Sequence, residues 1–346
     1  MPFTVKDFLK DQFMSLNITP QDLTGKTIVV TGSNVGIGYG TVCHLAGMHP
    51  ARIILACRNT SKAEEAIRKI KATASINSEG VIFEAQELNL ASFASCRAFA
   101  KKYQESGLPI HILINNAGIT STTFSLTEDN HESIFATNHL GTVLLTLLLL
   151  PIVRKTAAQD ASTYPRIIVV ASEMHHWGPL TSKDSDSFVR ALDDPTNVES
   201  FKQRYPDSKL MNVLFTRSLA THLKASSHPQ DKKITVSVIN PGLVASEFGT
   251  KSEVSIWSRL GFTVMMSIMR GFLARNIMDG AKTTVFAAIE PECGIENGAE
   301  NGLYYSSCRV APVNPIVEGE EGKALGERLW KETIETIQTT PTEFDI

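Results

Sequence analysis

One feature constrains this chain more than any other: short β-branched runs alternate with stretches of helical pattern. The runs are KTIVVTG (26–32), RIILAC (52–57), VIFEAQEL (81–88), HILINNAG (111–118), RIIVVAS (166–172), ITVSVINPG (234–242) and NGLYYSS (301–307). Between them lie SKAEEAIRKIKA, ASFASCRAFAKKYQ and a helical stretch from about Asp129 to Ala157. Apolar runs that are each followed by a helix fit strands covered on both faces, joined by right-handed crossovers. The expected fold class is therefore α/β: a single doubly wound domain with about seven parallel strands and helices on both faces. Residues 1–25 are expected to form an N-terminal arm, and residues 26–346 the single domain. The alternation breaks at about 246–278, where a helical lid is expected.

Composition narrows the partners. With 346 residues, 42% of them hydrophobic, the chain can bury a substantial core. The formal charge is −3, from 33 Lys and Arg against 36 Asp and Glu, which gives no footprint for nucleic acid. Cys43, Cys57, Cys96, Cys293 and Cys308 form no CxxC pair and are odd in number. They read as free thiols in a reducing compartment, so the expected location is cytoplasmic. The N-terminal MPFTVKDFLKDQF is broken by Lys6, Asp7, Lys10 and Asp11 before a signal sequence can form. VLLTLLLLPIV (143–153) is too short for a membrane span, contains Pro151, and reads as a buried helix.

The first strand runs into TGSNVGIG (31–38), with Gly32, Gly36 and Gly38 spaced GxxxGxG before a helix start. Glycines there let a ligand approach the backbone, and the helix N-terminus favours a pyrophosphate. Candidate binders in this loop are Gly32, Ser33, Asn34, Gly36, Ile37 and Gly38. In a Rossmann-type domain an acid at the end of the second strand would hold the ribose of NAD. Here the chain reads ACRN instead, and Arg58 can grip a 2′-phosphate with two hydrogen bonds. Lys62 adds charge one turn later. The expected cofactor is NADP(H).

YPDSK (205–209) places Tyr205 and Lys209 four positions apart, on one helix face. A nearby positive charge favours the phenolate form of tyrosine. In isolation the spacing is an ordinary surface pair. In order along the chain, however, TGSNVGIG, NNAG (115–118), Ser172 at a strand end, YPDSK and NPG (240–242) resemble the short-chain dehydrogenase/reductase family. The resemblance covers about residues 25–310. ACRN and the tail GLYYSSCRVAPVNP…ALGERLWKET are most similar to the retinol-dehydrogenase-like branch and to fungal secondary-metabolism reductases.

The resemblance implies roles. Tyr205 would be the acid/base and Lys209 would lower its pKa and bind the nicotinamide ribose. Ser172 would hydrogen-bond the substrate oxygen, and Asn138 would organise a water relay behind the lysine. Asn115 would brace the fourth strand, and Asn116, Ala117 and Gly118 would line the ribose site. Pro241, Gly242, Val244 and Ser246 would receive the carboxamide. Serine at 246 departs from the family's usual threonine. Asn89, with Leu90 after it, stands where aspartate is usual, and its amide oxygen can still accept from the adenine amine.

Two segments leave alternatives open. Ser172 and Tyr205 are unusually far apart, and His175, His176 and Trp177 between them read as pocket wall, with a metal site as the sharper alternative. No metal is expected. The segment 257–278 carries four methionines among other apolar residues, interrupted by Arg259, Arg270 and Arg275. It reads as a lid packed on the core, a cover for a bulky apolar substrate, or a membrane-surface patch, and membrane contact is not expected. Taken together, the sequence points to an NADP(H)-dependent oxidoreductase acting on a carbonyl or secondary alcohol of a hydrophobic small molecule. Polyketide, terpenoid, steroid-like and retinoid-like compounds are the candidate substrates. Alternatives are a redox-neutral cyclase or epimerase on the same fold and a non-catalytic dinucleotide sensor. The resemblance implies homo-oligomers in many members, although the C-terminal extension would obstruct such contacts.

Overall fold

The computed structural model describes residues 4–197, 201–245, 273–340 and 343–344. Among the described residues eight strands form one sheet: β1 Thr27–Thr31, β2 Arg52–Cys57, β3 Ile82–Glu87, β4 Ile112–Asn115, β5 Arg166–Val170, β6 Thr235–Asn240, β7 Leu303–Ser306 and β8 Arg309–Val310. Their order is β3-β2-β1-β4-β5-β6-β7-β8. All neighbouring pairs are parallel except β7 and β8. The expected count of about seven parallel strands is thus extended by one short antiparallel strand. Ser307 and Cys308 join β7 to β8 with φ of 51° and 55°. Positive φ at both central residues is what a tight type I′ hairpin requires. No Asn-Gly pair marks that turn, and no apolar run marks β8.

The described helices are α1 Val5–Gln12, α2 Gly36–Ala46, α3 Thr60–Ala72, α4 Phe93–Ser106, α5 Ser133–Ala157, α6 Phe188–Asp193, α7 Arg204–Ala225, α8 Ile277–Ile289 and α9 Gly319–Ile337. Their starts follow from local chemistry. Asn59 accepts from Lys62 N at 2.9 Å ahead of α3, Ser92 from Ser95 N at 3.2 Å ahead of α4, and Asn276 from Asp279 N at 2.8 Å ahead of α8. Such caps satisfy amides that the first turn leaves unpaired. α4 stops at Gly107, whose φ of 68° is left-handed.

The strands are apolar throughout because both of their faces are covered. In β1, Val29 belongs to the core under α4, α5 and α7, whereas Ile28 and Val30 belong to the core under α2, α3 and α8. β5 divides the same way, with Ile167 and Val169 on one face and Ile168 and Val170 on the other. α5 spans 25 residues and is long and apolar enough to cross a membrane, yet 89% of its most apolar window is buried inside the protein. The expectation that the 143–153 run is core holds, in a helix longer than that run.

The arm is tied down. A capping box of Thr4 and Asp7 starts α1. Gln12 at its end is buried, donating to the carbonyls of Leu243 at 2.8 Å and Leu273 at 2.7 Å. Of the expected lid, residues 246–272 lie outside the described residues. Arg275 pairs with Val244, and α8 already begins at Ile277.

Candidate functional site

The strand order reverses between β1 and β4, because β2 and β3 lie on one side and β5 to β8 on the other. In open α/β sheets ligands bind outside the carboxyl ends of the strands at such a switch point. The glycine loop after β1 occupies that place. Gly32 and Gly36 take φ of 63° and 59°. A Cβ on Gly32 would sit 2.8 Å from Ala117 Cα, and one on Gly38 would sit 2.7 Å from the Gly32 carbonyl oxygen. Side chains are therefore excluded from the cradle. Val35 at the start of α2 makes no side-chain cap bond, so the helix amides there are not capped by the chain itself. These features fit a dinucleotide pyrophosphate. Ser33 enters differently from the expectation: it is fully buried, and its hydroxyl donates to the Val30 carbonyl at 2.9 Å. Asn34 and Ile37 are partly exposed on the same loop.

Asn116 braces this loop. Its Nδ2 donates to the carbonyls of Thr31 at 2.9 Å and Gly32 at 3.2 Å. Thr31 Oγ1 in turn accepts from the backbone of Asn116 at 3.0 Å and of Ala117 at 2.9 Å. Asn115 Nδ2 donates to Thr146 Oγ1 at 2.9 Å, holding β4 against α5. Arg58 follows β2, and both it and Lys62 are exposed at the start of α3. Asn89 Oδ1 closes a turn by accepting from Ala91 N at 3.2 Å, and Leu90 beside it is buried. Asn89 thus keeps one acceptor lone pair beyond its own turn.

Ser172, Tyr205, Lys209 and Asn138 meet at the ends of β5 and β4. Ser172 follows β5 and caps the 3₁₀ turn Glu173–Trp177, accepting from Met174 N at 3.2 Å. Tyr205 stands in the first turn of α7, half-buried and hydrogen-bonded to Ser172. Burial pushes its phenol up to about 12, against the pull of the Ser172 bond, and the charge of Glu173 adds to the rise. Lys209 Nζ donates to the Val170 carbonyl at 3.0 Å and lies 5.7 Å from the Tyr205 ring centre. Burial draws its ammonium down to about 8. Burial dominates this shift, so the phenol lies above its ordinary value instead of below it as the pairing with Lys209 led us to expect.

Asn138 sits in a π-helical stretch, Ala136–Leu140, within α5. Irregularities of this kind are frequent at functional sites. Its Oδ1 accepts from Ile119 N at 2.7 Å, and its Nδ2 donates to the Ile119 carbonyl at 2.9 Å and to Ser208 Oγ at 3.0 Å. Both amide protons are used, so the side chain positions the loop after β4 against α7. Gly118 lies between them: a Cβ there would be 3.2 Å from Asn138 Oδ1 and 3.3 Å from Lys209 Nζ. After β6, Pro241 and Gly242 form the turn, with φ of 78° at Gly242, and Val244 is buried. Ser246 lies outside the described residues.

His175 does not face the cleft. It is fully buried, its Nδ1 lies 2.7 Å from the Ser172 carbonyl oxygen, and its ring packs 4.7 Å from Tyr304. Burial lowers His175 to about 4 and His176 to about 3, so both are neutral at physiological pH. Trp177 is 42% exposed. Among the described residues no group of three His, Cys, Asp or Glu side chains could hold a metal ion.

Sequence reasoning missed the charges that seat α7. Arg204, directly before Tyr205, is fully buried, with Nε 3.4 Å from Glu132 Oε2. Asp207 accepts from Leu180 N at 2.8 Å and Thr181 N at 2.9 Å, pinning the long segment after Ser172 to the helix. Asp193 accepts from Glu132 N at 2.8 Å. Breaking a buried pair leaves an uncompensated charge. Arg204→Met should therefore destabilise the protein by about 3–5 kcal/mol in urea unfolding. An unchanged unfolding midpoint would show that the pair is dispensable.

Comparison with known proteins identifies the family. Residues 26–179 match the short chain dehydrogenase family. The chain is 32% identical over 334 residues to the short chain dehydrogenase/reductase dmxR8 of Cryptosporiopsis, covering 95% of this chain and 96% of that protein. It is 30% identical over 323 residues to human retinol dehydrogenase 14, covering 90% and 86%. Among solved structures, an uncharacterized protein from Mycobacterium paratuberculosis superposes with a TM-score of 0.61 at 25% identity, covering 91% of this chain and 96% of that one. The chain belongs to the short-chain dehydrogenase/reductase family of oxidoreductases, in its retinol-dehydrogenase-like branch.

Proposed function

We propose that the protein is an NADP(H)-dependent oxidoreductase that interconverts a carbonyl and a secondary alcohol on a hydrophobic small molecule. The observation supporting this reading is the meeting of Ser172, Tyr205, Lys209 and Asn138 beside a glycine cradle that side chains would fill. When bound, the cofactor supplies or accepts a hydride at nicotinamide C4. Tyr205 gives its hydroxyl proton to the substrate oxygen in reduction and takes it back in oxidation. Ser172, bonded to Tyr205, donates to the same oxygen and stabilises the charge that develops there. Lys209 holds its ammonium beside the phenol and binds the nicotinamide ribose. Asn138 fixes the loop and the α7 turn between which that ammonium sits. The apolar substrate class is supported by the retinol dehydrogenases among the relatives and by the composition of 257–278. The test is incubation with NADPH and a panel of apolar ketones. Loss of NADPH should equal formation of a product two hydrogens heavier, whereas a product formed without NADPH loss would favour redox-neutral chemistry.

NADP(H) preference rests on Arg58. A 2′-phosphate and a guanidinium can form two parallel charged hydrogen bonds. Charged hydrogen bonds contribute about 1.5–3 kcal/mol, roughly a tenfold to hundredfold preference. Arg58→Ala should weaken NADPH binding by that factor and leave NADH nearly unchanged, with Lys62 retaining part of the preference. Fluorescence titration of both cofactors at fixed salt reads this directly. Equal loss of both cofactors would remove Arg58 as the selector.

A further inference from the structure

Gln12 is a buried amide on the N-terminal arm to which the reading above gives no role. It is the last residue of α1 and only 5% exposed. Its side chain reaches the turn after β6, 231 residues away in the chain. Gln12 Oε1 accepts from Leu243 N at 3.0 Å, and Nε2 donates to the carbonyls of Leu243 at 2.8 Å and Leu273 at 2.7 Å. One side chain thus engages both backbone groups of Leu243. Only an amide side chain offers two donors and an acceptor of neutral charge for that task.

Arg275 closes the same side of the turn. Its backbone N donates to Leu243 O at 2.8 Å, and its guanidinium donates to Pro241 O at 3.3 Å and to Asp11 O at 2.5 Å. A Cβ on Gly242 would sit 2.9 Å from Arg275 Nη1 and 3.0 Å from Gln12 Oε1. The end of α1 and Arg275 therefore fill the space behind the turn, and glycine at a φ of 78° lets the turn lie against them.

Val244 presents its backbone to the opposite side. It bridges to Arg275 through its neighbours: Leu243 O accepts from Arg275 N, and Ala245 N donates to Arg275 O at 2.9 Å. In a parallel bridge of this kind the middle residue's own N–H and C=O point away from the partner strand. Val244 is 8% exposed, and among the described residues its N–H and C=O have no partner. Buried backbone groups require partners, and a donor and an acceptor on one residue complement an amide. They lie just beyond the carboxyl end of β6, and Ser172 follows the neighbouring strand β5.

We propose that Gln12 is a positioning residue for the nicotinamide end of the cofactor: its amide holds the Pro241–Val244 turn so that the N–H and carbonyl of Val244 meet the carboxamide. This rests on the reading of the cleft as a dinucleotide site. It gives the N-terminal arm a part in cofactor binding although no residue of the arm faces the cofactor directly.

The test compares NADPH with ADP-ribose 2′-phosphate, the same nucleotide without its nicotinamide. NADPH is titrated by its fluorescence and the fragment by its displacement of NADPH. Gln12→Met keeps the bulk of the side chain and removes all three hydrogen bonds. Should it not fold, Gln12→Ala, which lets water reach the three backbone groups, takes its place. In either variant the Kd of NADPH should rise roughly tenfold, the scale of one or two neutral hydrogen bonds, with the Kd of the fragment unchanged. Thr4→Ala weakens the cap of α1 far from the turn and should change neither. An unchanged Kd for NADPH would overturn the inference and leave Gln12 as a fastener of the arm. An equal rise for NADPH and the fragment would overturn it too, since that would report general loosening. A wild type that binds neither nucleotide would overturn the functional reading, and this inference with it.

Discussion

Tyr205→Phe is expected to cut turnover by roughly 10²–10⁴-fold, the usual scale of a general acid/base contribution. NADP(H) affinity should be retained. Only the hydroxyl is lost, and the ring keeps its place in the first turn of α7. Ser172 loses its hydrogen-bond partner but keeps its bond from Met174 N. The fold should therefore survive, and unfolding curves of the two proteins should nearly coincide. Single-turnover kinetics with bound NADPH separate the chemical step from binding. Near-normal turnover in this variant would remove Tyr205 from the reaction.

Lys209→Met should lose both turnover and cofactor affinity. Lys209 is 3% exposed, and its ammonium lies close to Gly118, Val170 and Tyr205. One or two charged hydrogen bonds to the ribose would be removed, roughly a tenfold to hundredfold rise in Kd. The same variant carries a stability signature whose sign can be worked out. Burial lowers the lysine from 10.5 to about 8, so the folded protein binds its proton less tightly than the unfolded chain. The cost is fully present below about 8 and is gone above 10.5. Wild type should therefore gain stability relative to Lys209→Met as pH rises through that window. A flat difference across it would mean that the ammonium is not buried.

The sheet was legible because a strand buried on both faces leaves a local signature. The runs around Val29, Ile54, Ile167 and Val238 coincide with the observed strands to within about two residues, and the run around Leu113 extends past the end of β4 at Asn115. β8 left no such trace, since its two residues are exposed and its turn uses Ser307 and Cys308 in place of glycine. The binding loop was legible through its glycines, because Gly32 and Gly38 stand where a Cβ has no room. What the sequence hid were partnerships across long separations. Glu132 meets Arg204 across α5 and β5, and Gln12 meets Leu243 across almost the whole domain. Glu173 shows the same limit: Asn240, whose Oδ1 accepts from its backbone amide at 3.0 Å, comes from a distant segment. Ser33 shows the converse case, a residue in the right loop whose hydroxyl turns inward to Val30.

The central claim is hydride transfer coupled to proton donation by Tyr205. Its most direct test is incubation of the protein with NADPH deuterated at nicotinamide C4 and a panel of apolar ketones, with mass spectrometry of the products. One deuterium is expected at the new carbinol carbon with one NADP⁺ per product, and the rate of both should fall by roughly 10²–10⁴-fold in the Tyr205→Phe protein. Product that forms without deuterium, or deuterium transfer that persists undiminished in Tyr205→Phe, would contradict it.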